Sequence, residues 1–399
     1  MAKHPETLYD FDTPVERRNT TSLKWDKYKD KDIIPLWVAD MDFKAPPAVI
    51  SAMHAHVAHG VFGYTLPPDD LLEAVMCMLE RTHAWTVKPE WVVWMPGLVS
   101  GLNIACRAVG APGDAVITTT PAYPPFLSAP TFSQRTLFTV AHVDDGSKYI
   151  FDFAGIEQSI TARTRMFILC NPQNPTGRVF TRDELSRLAQ ICIRNNIIIC
   201  SDEIHCGLVL DHDKGHITLS TLDEDIARQT ITLLAPSKTY NLPGLGCSYA
   251  VIPDKGLRAH FKTAMNGIVP HVNALGFTAA LFAYRDCEDW RLALIDYLRQ
   301  NRDLVEDFVA NTPGLSMHHT EATYLAWIDC RNLDVPNPTA FFEDAGVGLS
   351  DGIDFGTQGF VRLNFGCARS LLVKALGRMG DALPGTPGAP DSRREAPLP

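Results

Sequence analysis

The stretch MFILCNPQNPTGRVFTRDELSRLAQICIRNNIIICS (166–201) decides the fold. It opens and closes on short apolar runs, MFILC (166–170) and IIICS (197–201), which are continuous rather than alternating. Such runs read as strands buried on both faces of a largely parallel sheet. Between them, TRDELSRLAQICIRNN (181–196) starts on Thr181 with Glu184 three residues on, the pattern of a capping box. Leu185, Leu188, Ala189 and Cys192 then recur at helical spacing. Strand, loop, helix and strand in that order make a βαβ crossover.

The same strand signature recurs outward from this unit, in WVVWM (91–95), AVIT (115–118), ITLLA (231–235) and SYAVI (248–252). Residues 1–50 hold turn signals and little periodicity, and from about 289 helical text leads to TYLAWID (323–329) and FVRLNF (360–365). The expectation is an α/β fold in which a large domain, 51–288, carries a mostly parallel sheet. A smaller α+β domain is expected from both chain ends, 1–50 and 289–383, because neither end could form a core alone. The last sixteen residues, 384–399, include five prolines and predict a disordered tail.

Composition removes several function classes. The 399 residues carry 36 Lys plus Arg against 46 Asp plus Glu, a formal charge of −10 without basic runs, which argues against nucleic-acid binding. No run reaches the ~18 apolar residues of a membrane span, and MAKHPETLYD lacks the apolar core of a signal peptide. The ten cysteines form no C-x-x-C and read as small buried hydrophobes of a reducing, cytoplasmic compartment. His54, His56 and His59 do not share one helix face, so no metal site is expected there.

Four segments stand at predicted strand ends, where open α/β sheets bind their ligands. Pro96-Gly97-Leu98-Val99-Ser100-Gly101 joins a strand to a helix and could offer free amides to a phosphate. The rigid Asn171-Pro172-Gln173-Asn174-Pro175-Thr176-Gly177 could present an asparagine amide. Asp202-Glu203-Ile204-His205 puts a carboxylate after a buried strand, where a cation is the expected partner. Ser237-Lys238-Thr239 puts a lysine in a similar place, suited to a Schiff base. Taken singly, a strand-to-helix turn, a crossover loop, a helix cap and a snorkelling lysine would explain them. Their order along the chain is that of fold-type I pyridoxal 5'-phosphate (PLP) enzymes.

Over about residues 8–380 the chain resembles the MalY/PatB-type cystathionine β-lyases, or C–S lyases, of the class I/II aminotransferase superfamily. The matching text is WVADMDF (37–43), FGYT (62–65), PAYPPF (121–126), NPQNPTGRVF (171–180), SDEIHCGL (201–208), SKTYNLPGL (237–245), ATYLAWID (322–329) and VRLNFGCAR (361–369). The resemblance implies that Lys238 binds PLP covalently and, once freed, removes the substrate Cα proton. It implies that Asp202 holds the pyridine nitrogen protonated, that Asn174 donates to the phenolic oxygen and that Tyr123 stacks on the ring. Gly97, Leu98, Val99 and Ser237 would hold the phosphate. Tyr64 would reach the phosphate of a neighbouring subunit, which implies a homodimer with shared sites and counts Tyr64 and Tyr123 with Lys238 as catalytic. Arg362 would clamp the substrate carboxylate, with Ala39 and Asn174 beside it.

His205 stands where many aminotransferases have a tyrosine, and Gly246 where many have a phosphate-binding arginine. Both favour α,β-elimination of a cysteine S-conjugate to thiol, pyruvate and ammonia. An aminotransferase, a decarboxylation-linked deaminase and a PLP-binding regulator remain as alternatives. Three positions depart from the lyase pattern: Gln173 replaces a histidine, Gly207 an aspartate and Ala368 a proline. They point to a specialised sulfur substrate.

Overall fold

The computed structural model describes residues 9–383. The expected tail, 384–399, and the first eight residues lie outside them.

Seven strands form the main sheet: β1 (Val92–Met95), β2 (Ala115–Thr120), β3 (Thr136–Ala141), β4 (Thr164–Cys170), β5 (Ile198–Asp202), β6 (Thr230–Leu234) and β7 (Ser248–Val251). Their spatial order is β1-β7-β6-β5-β4-β2-β3. Only β7 runs antiparallel to its neighbours; the pairs β6/β5, β5/β4, β4/β2 and β2/β3 are parallel. The expected α/β class is thus borne out.

The strands read as continuous apolar runs because both faces are covered. On β4, Met166 and Ile168 pack with the helices Leu98–Ala108 and Lys255–Met265. Phe167 and Leu169 pack on the opposite side with Leu185, Leu188 and Cys192 of the helix Arg182–Arg194. That helix starts on the expected capping box, with Thr181 accepting from the Glu184 amide and the Glu184 side chain accepting from the Thr181 amide.

A second sheet pairs β8 (Leu325–Asp329), β9 (Ser350–Asp351) and β10 (Phe360–Asn364), with β10 central and antiparallel to both. Ile34 and Pro35 pair in parallel with Val347 and Gly348, so residues near the N-terminus share structure with the C-terminal third. The largest core cluster joins Phe11, Leu36 and Met41 to Leu294, Tyr324, Leu363 and Leu372. The expected strand from Thr323 starts two residues late, at Leu325. Thr323 takes a left-handed φ of 75° and its amide donates to Leu208 O, so it leaves the ladder.

No helix among the described residues is long and apolar enough to cross a membrane.

Candidate active site

Five loops leave the carboxyl edge of the main sheet, after β1, β2, β4, β5 and β6, and close round a cavity of about 320 Å³. Of the residues expected to bind cofactor or substrate, all line it except Tyr64: Ala39, Gly97, Leu98, Val99, Tyr123, Asn174, Asp202, His205, Ser237, Lys238 and Arg362. Tyr64 is fully exposed, beside a separate groove that Phe62 and Pro270 also line.

After β1 the helix Leu98–Ala108 points its N-terminus into the cavity. Gly97 caps it without a side-chain hydrogen bond, and the first internal bond runs from the Gly101 amide to Gly97 O. The amides of Leu98, Val99 and Ser100 are therefore free to meet an anion at the positive end of the helix. Lys238 and Arg362 are the sole lysine and arginine among the lining residues. Gly246 sits at the same end with φ 56°, and a Cβ there would lie 3.1 Å from Pro96 O. The missing arginine is thus matched by a backbone shape that disfavours any side chain.

Asp202 ends β5 almost wholly buried, and its Oδ1 accepts from the Ile204 amide at 3.0 Å. Burial pushes its carboxyl up to about 7, with Glu203 adding to the rise while the Ile204 amide and Lys238 oppose it. Lys238 is pushed down to about 8, first by burial and then by Arg362, against the pull of Asp40 and Asp202. Its ammonium donates to Ala39 O. His205, held down to about 3 by burial, Lys238 and Arg362, is a neutral imidazole.

Arg362 lies in the central strand β10 and is 4% exposed. Its Nη1 donates to Asn174 Oδ1 at 3.0 Å and its Nη2 to Trp37 O at 2.9 Å. The Phe355 ring lies under the guanidinium at 4.6 Å, and Nε is buried without an acceptor. No carboxylate pairs with it among the described residues, and burial lowers it to about 10. An arginine only donates, so Asn174 must present its oxygen there, which leaves its Nδ2 hydrogens for the cavity.

The resemblance put Ala39 of WVADMDF at the site, but not the way this segment is held. Residues 37–43 form a strap without regular secondary structure, and side chains from distant segments hold five consecutive carbonyls. Arg362 and Ser350 donate to Trp37 O. Asn364 donates to Val38 O and Asp40 O. Lys238 and Tyr324 donate to Ala39 O, and Asn241 and Arg17 to Met41 O. Asn241 also donates to Phe43 O and accepts from the Met41 amide. The motif SKTYN and the asparagine after Arg362 were visible in the sequence, but nothing in them named a carbonyl as their target.

Two departures acquire geometry. A Cβ on Gly207 would lie 2.6 Å from Thr239 Oγ1 and 2.8 Å from its Cγ2, so the aspartate of the lyase pattern does not fit beside Thr239 as it stands. The Gln173 amide is buried and hydrogen-bonded at both ends. Ala368, the third, is the N-cap of the helix Arg369–Ala382. On the helix Pro47–His59, His56 Nδ1 meets Thr278 Oγ1 at 2.8 Å. No group of three metal-ligating side chains forms among the described residues.

The family pattern "Aminotransferase class I and II" matches residues 31–379. Cystathionine beta-lyase PatB of Bacillus subtilis (strain 168) is 36% identical over 386 residues, covering 94% of this chain and 99% of that protein. The crystal structure of OvoB superposes with a TM-score of 0.92 at 43% identity, covering 94% of this chain and 100% of that one. Cystalysin from Treponema denticola, whose structure contains a pyridoxal 5'-phosphate cofactor, gives a TM-score of 0.90 at 31% identity over 94% and 98% of the two chains.

Proposed function

The chain belongs to the class I and II aminotransferase family, and on that footing we propose that it is a PLP-dependent C–S lyase. Its substrate is a cysteine S-conjugate, which it cleaves by α,β-elimination to thiol, pyruvate and ammonia. The observation that carries the reading is the meeting, in one cavity, of a lysine with lowered proton affinity, an uncompensated buried carboxylate and an arginine without a carboxylate. The cystathionine β-lyase relative, together with His205 and Gly246, supports elimination over transamination.

The residues fit the cofactor. Burial raises Asp202 to about 7, and a protonated pyridine nitrogen beside it would offset that cost of ionisation. The helix-start amides and Ser237 suit a phosphate, and the Asn174 Nδ2 hydrogens suit a phenolic oxygen. When bound, PLP withdraws electrons from the substrate Cα and so makes its proton removable. Lys238, down at about 8, holds enough free amine near neutrality to take that proton. Arg362 offers a planar fork to the substrate carboxylate, its orientation fixed beforehand by Asn174, Trp37 O and Phe355. Tyr123 lines the same cavity and can cover the ring.

The active form we propose is a homodimer. Val61, Phe62, Tyr64 and Leu66 are exposed on a segment without regular structure, and a second copy would bury them and bring Tyr64 to the neighbouring phosphate. The division into 51–288 and 1–50 plus 289–383 remains our proposal. It is supported by a main sheet contained in 92–251 and by the pairing of Ile34–Pro35 with Val347–Gly348. Free, mostly buried cysteines support a cytoplasmic setting.

Purified, PLP-loaded protein given a panel of cysteine S-conjugates should release thiol and pyruvate without a 2-oxo acid. Lys238→Ala should lose the visible absorbance of the bound cofactor and at least about 10³-fold in rate. Turnover that requires a 2-oxo acid would assign an aminotransferase, and an aldehyde with carbon dioxide would assign decarboxylation. No thiol from any conjugate would end the lyase reading.

A further inference from the structure

Gln173 departs from the lyase pattern, and the structure gives it more to do than a histidine could. Its Nε2 donates to Pro121 O at 2.7 Å. Its Oε1 accepts from the Thr176 amide at 2.8 Å and from Thr176 Oγ1 at 2.6 Å. The backbone is also engaged, its amide donating to Arg178 O and its carbonyl accepting from the Gly177 amide, both at 2.8 Å. The side chain is 2% exposed and does not line the cavity. It therefore acts through others.

Those others are known by position. On one side is Asn174, the next residue, which lines the cavity and accepts from Arg362. On the other is the segment Pro121-Ala122-Tyr123, whose Tyr123 also lines the cavity. The Ala122 amide donates at 3.0 Å to Phe355 O, and the Phe355 ring carries the Arg362 guanidinium. A single amide thus closes a loop of contacts through Asn174, Arg362, Phe355 and Tyr123.

We propose that Gln173 is a positioning residue that fixes Asn174 and Tyr123 relative to each other. This rests on the PLP reading, in which both residues meet the cofactor ring. An imidazole has two ring nitrogens, so it can replace at most one donor and one acceptor of this set. A leucine replaces none. An amide donor aimed at the cofactor's phenolic oxygen disperses its charge, so loosening Asn174 raises the pH at which the bound cofactor changes its visible spectrum.

The test is the pH titration of that absorbance in PLP-loaded wild type, Gln173→Leu and Gln173→His, with thermal melting of each. The titration midpoint should rise by roughly half a unit to one unit in Gln173→Leu, with the histidine variant in between. On any conjugate the wild type cleaves, kcat should fall about tenfold in Gln173→Leu while KM moves less. A variant that loads PLP and titrates at the wild-type midpoint overturns the proposal. If the leucine variant does not fold, the histidine variant decides the matter by the same midpoint. The underlying reading fails separately: wild type without a visible cofactor band rejects PLP, and a titrating wild type that cleaves no conjugate rejects the lyase but leaves the Gln173 test intact.

Discussion

Two buried arginines touch the Asn174 loop and live in opposite surroundings. Arg178 is neutralised: its Nη2 meets both oxygens of Glu184 at 3.1 and 2.9 Å, and Glu321 lies 3.7 Å from its Nη1. Arg362 is as deeply buried but contacts only amide, carbonyl and hydroxyl oxygens and an aromatic ring. The two adjacent carboxylates Asp202 and Glu203 repeat the contrast. Burial alone would push Glu203 up, but His216, the Leu219 amide and the Ser201 hydroxyl outweigh it and hold it low. Asp202 has one backbone amide and rises. Ion pairs complete within the chain hold the scaffold, and incomplete ones mark where a ligand's charges belong.

The largest effect should come from breaking the incomplete set. Arg362→Ala removes the fork proposed to hold the substrate carboxylate, and KM for any cleaved conjugate should rise about a hundredfold with little change in melting temperature. An unchanged KM would mean that the carboxylate binds elsewhere. Arg178→Ala should do the reverse. It takes one cation from Glu184, left with the Thr181 amide and hydroxyl, and from Glu321, left with Lys214 and the Val179 amide. Stability should therefore fall by roughly 2 kcal/mol in denaturant unfolding, while KM stays within about threefold of wild type.

The smallest effect is also the sharpest in sign. The folded value of Asp202, about 7, lies above its unfolded value, so the ionised form weakens the cofactor-free fold. That cost is complete above about 7, fades as pH falls below it and is gone at the ordinary carboxylate value. Asp202→Asn should therefore stabilise cofactor-free protein by roughly 1–3 kcal/mol at mildly alkaline pH, the gain closing towards acid. Glu203 is held low and contributes stability above its unfolded value, lost as pH falls through the folded one. Glu203→Gln should accordingly destabilise at the same alkaline pH. Melting curves of both variants across pH would break the comparison if the two shifts had the same sign.

Most of this cavity was legible because its parts sit at strand ends. A buried strand announces itself by a continuous apolar run, and the polar residue that follows it must lie on the carboxyl edge. That reasoning reached Gly97, Asn174, Asp202 and Lys238. It could not bring Tyr64 to the cavity, because within one chain that ring is exposed and apart. Nor could it find the strap. Asn241 grips Met41 across 200 residues and Tyr324 grips Ala39 across 285, and a carbonyl leaves no trace in a sequence. Phe355 under Arg362 was missed for the same reason, since ring and guanidinium meet only through the fold. Gly207 was visible as a departure, yet its cause, the nearness of Thr239, exists only in three dimensions.

At five consecutive carbonyls the strap is gripped by atoms that every amino acid possesses. Those attachments therefore survive exchange of side chains along it, except at Asp40 and Asp42, whose carboxylates also tie it to Arg17 and Lys24. Val38 lines the cavity while Asn364 holds its carbonyl, and so can vary without losing that hydrogen bond. Single replacements at such positions could thus reshape the cavity and keep the lysine and arginine behind it in place.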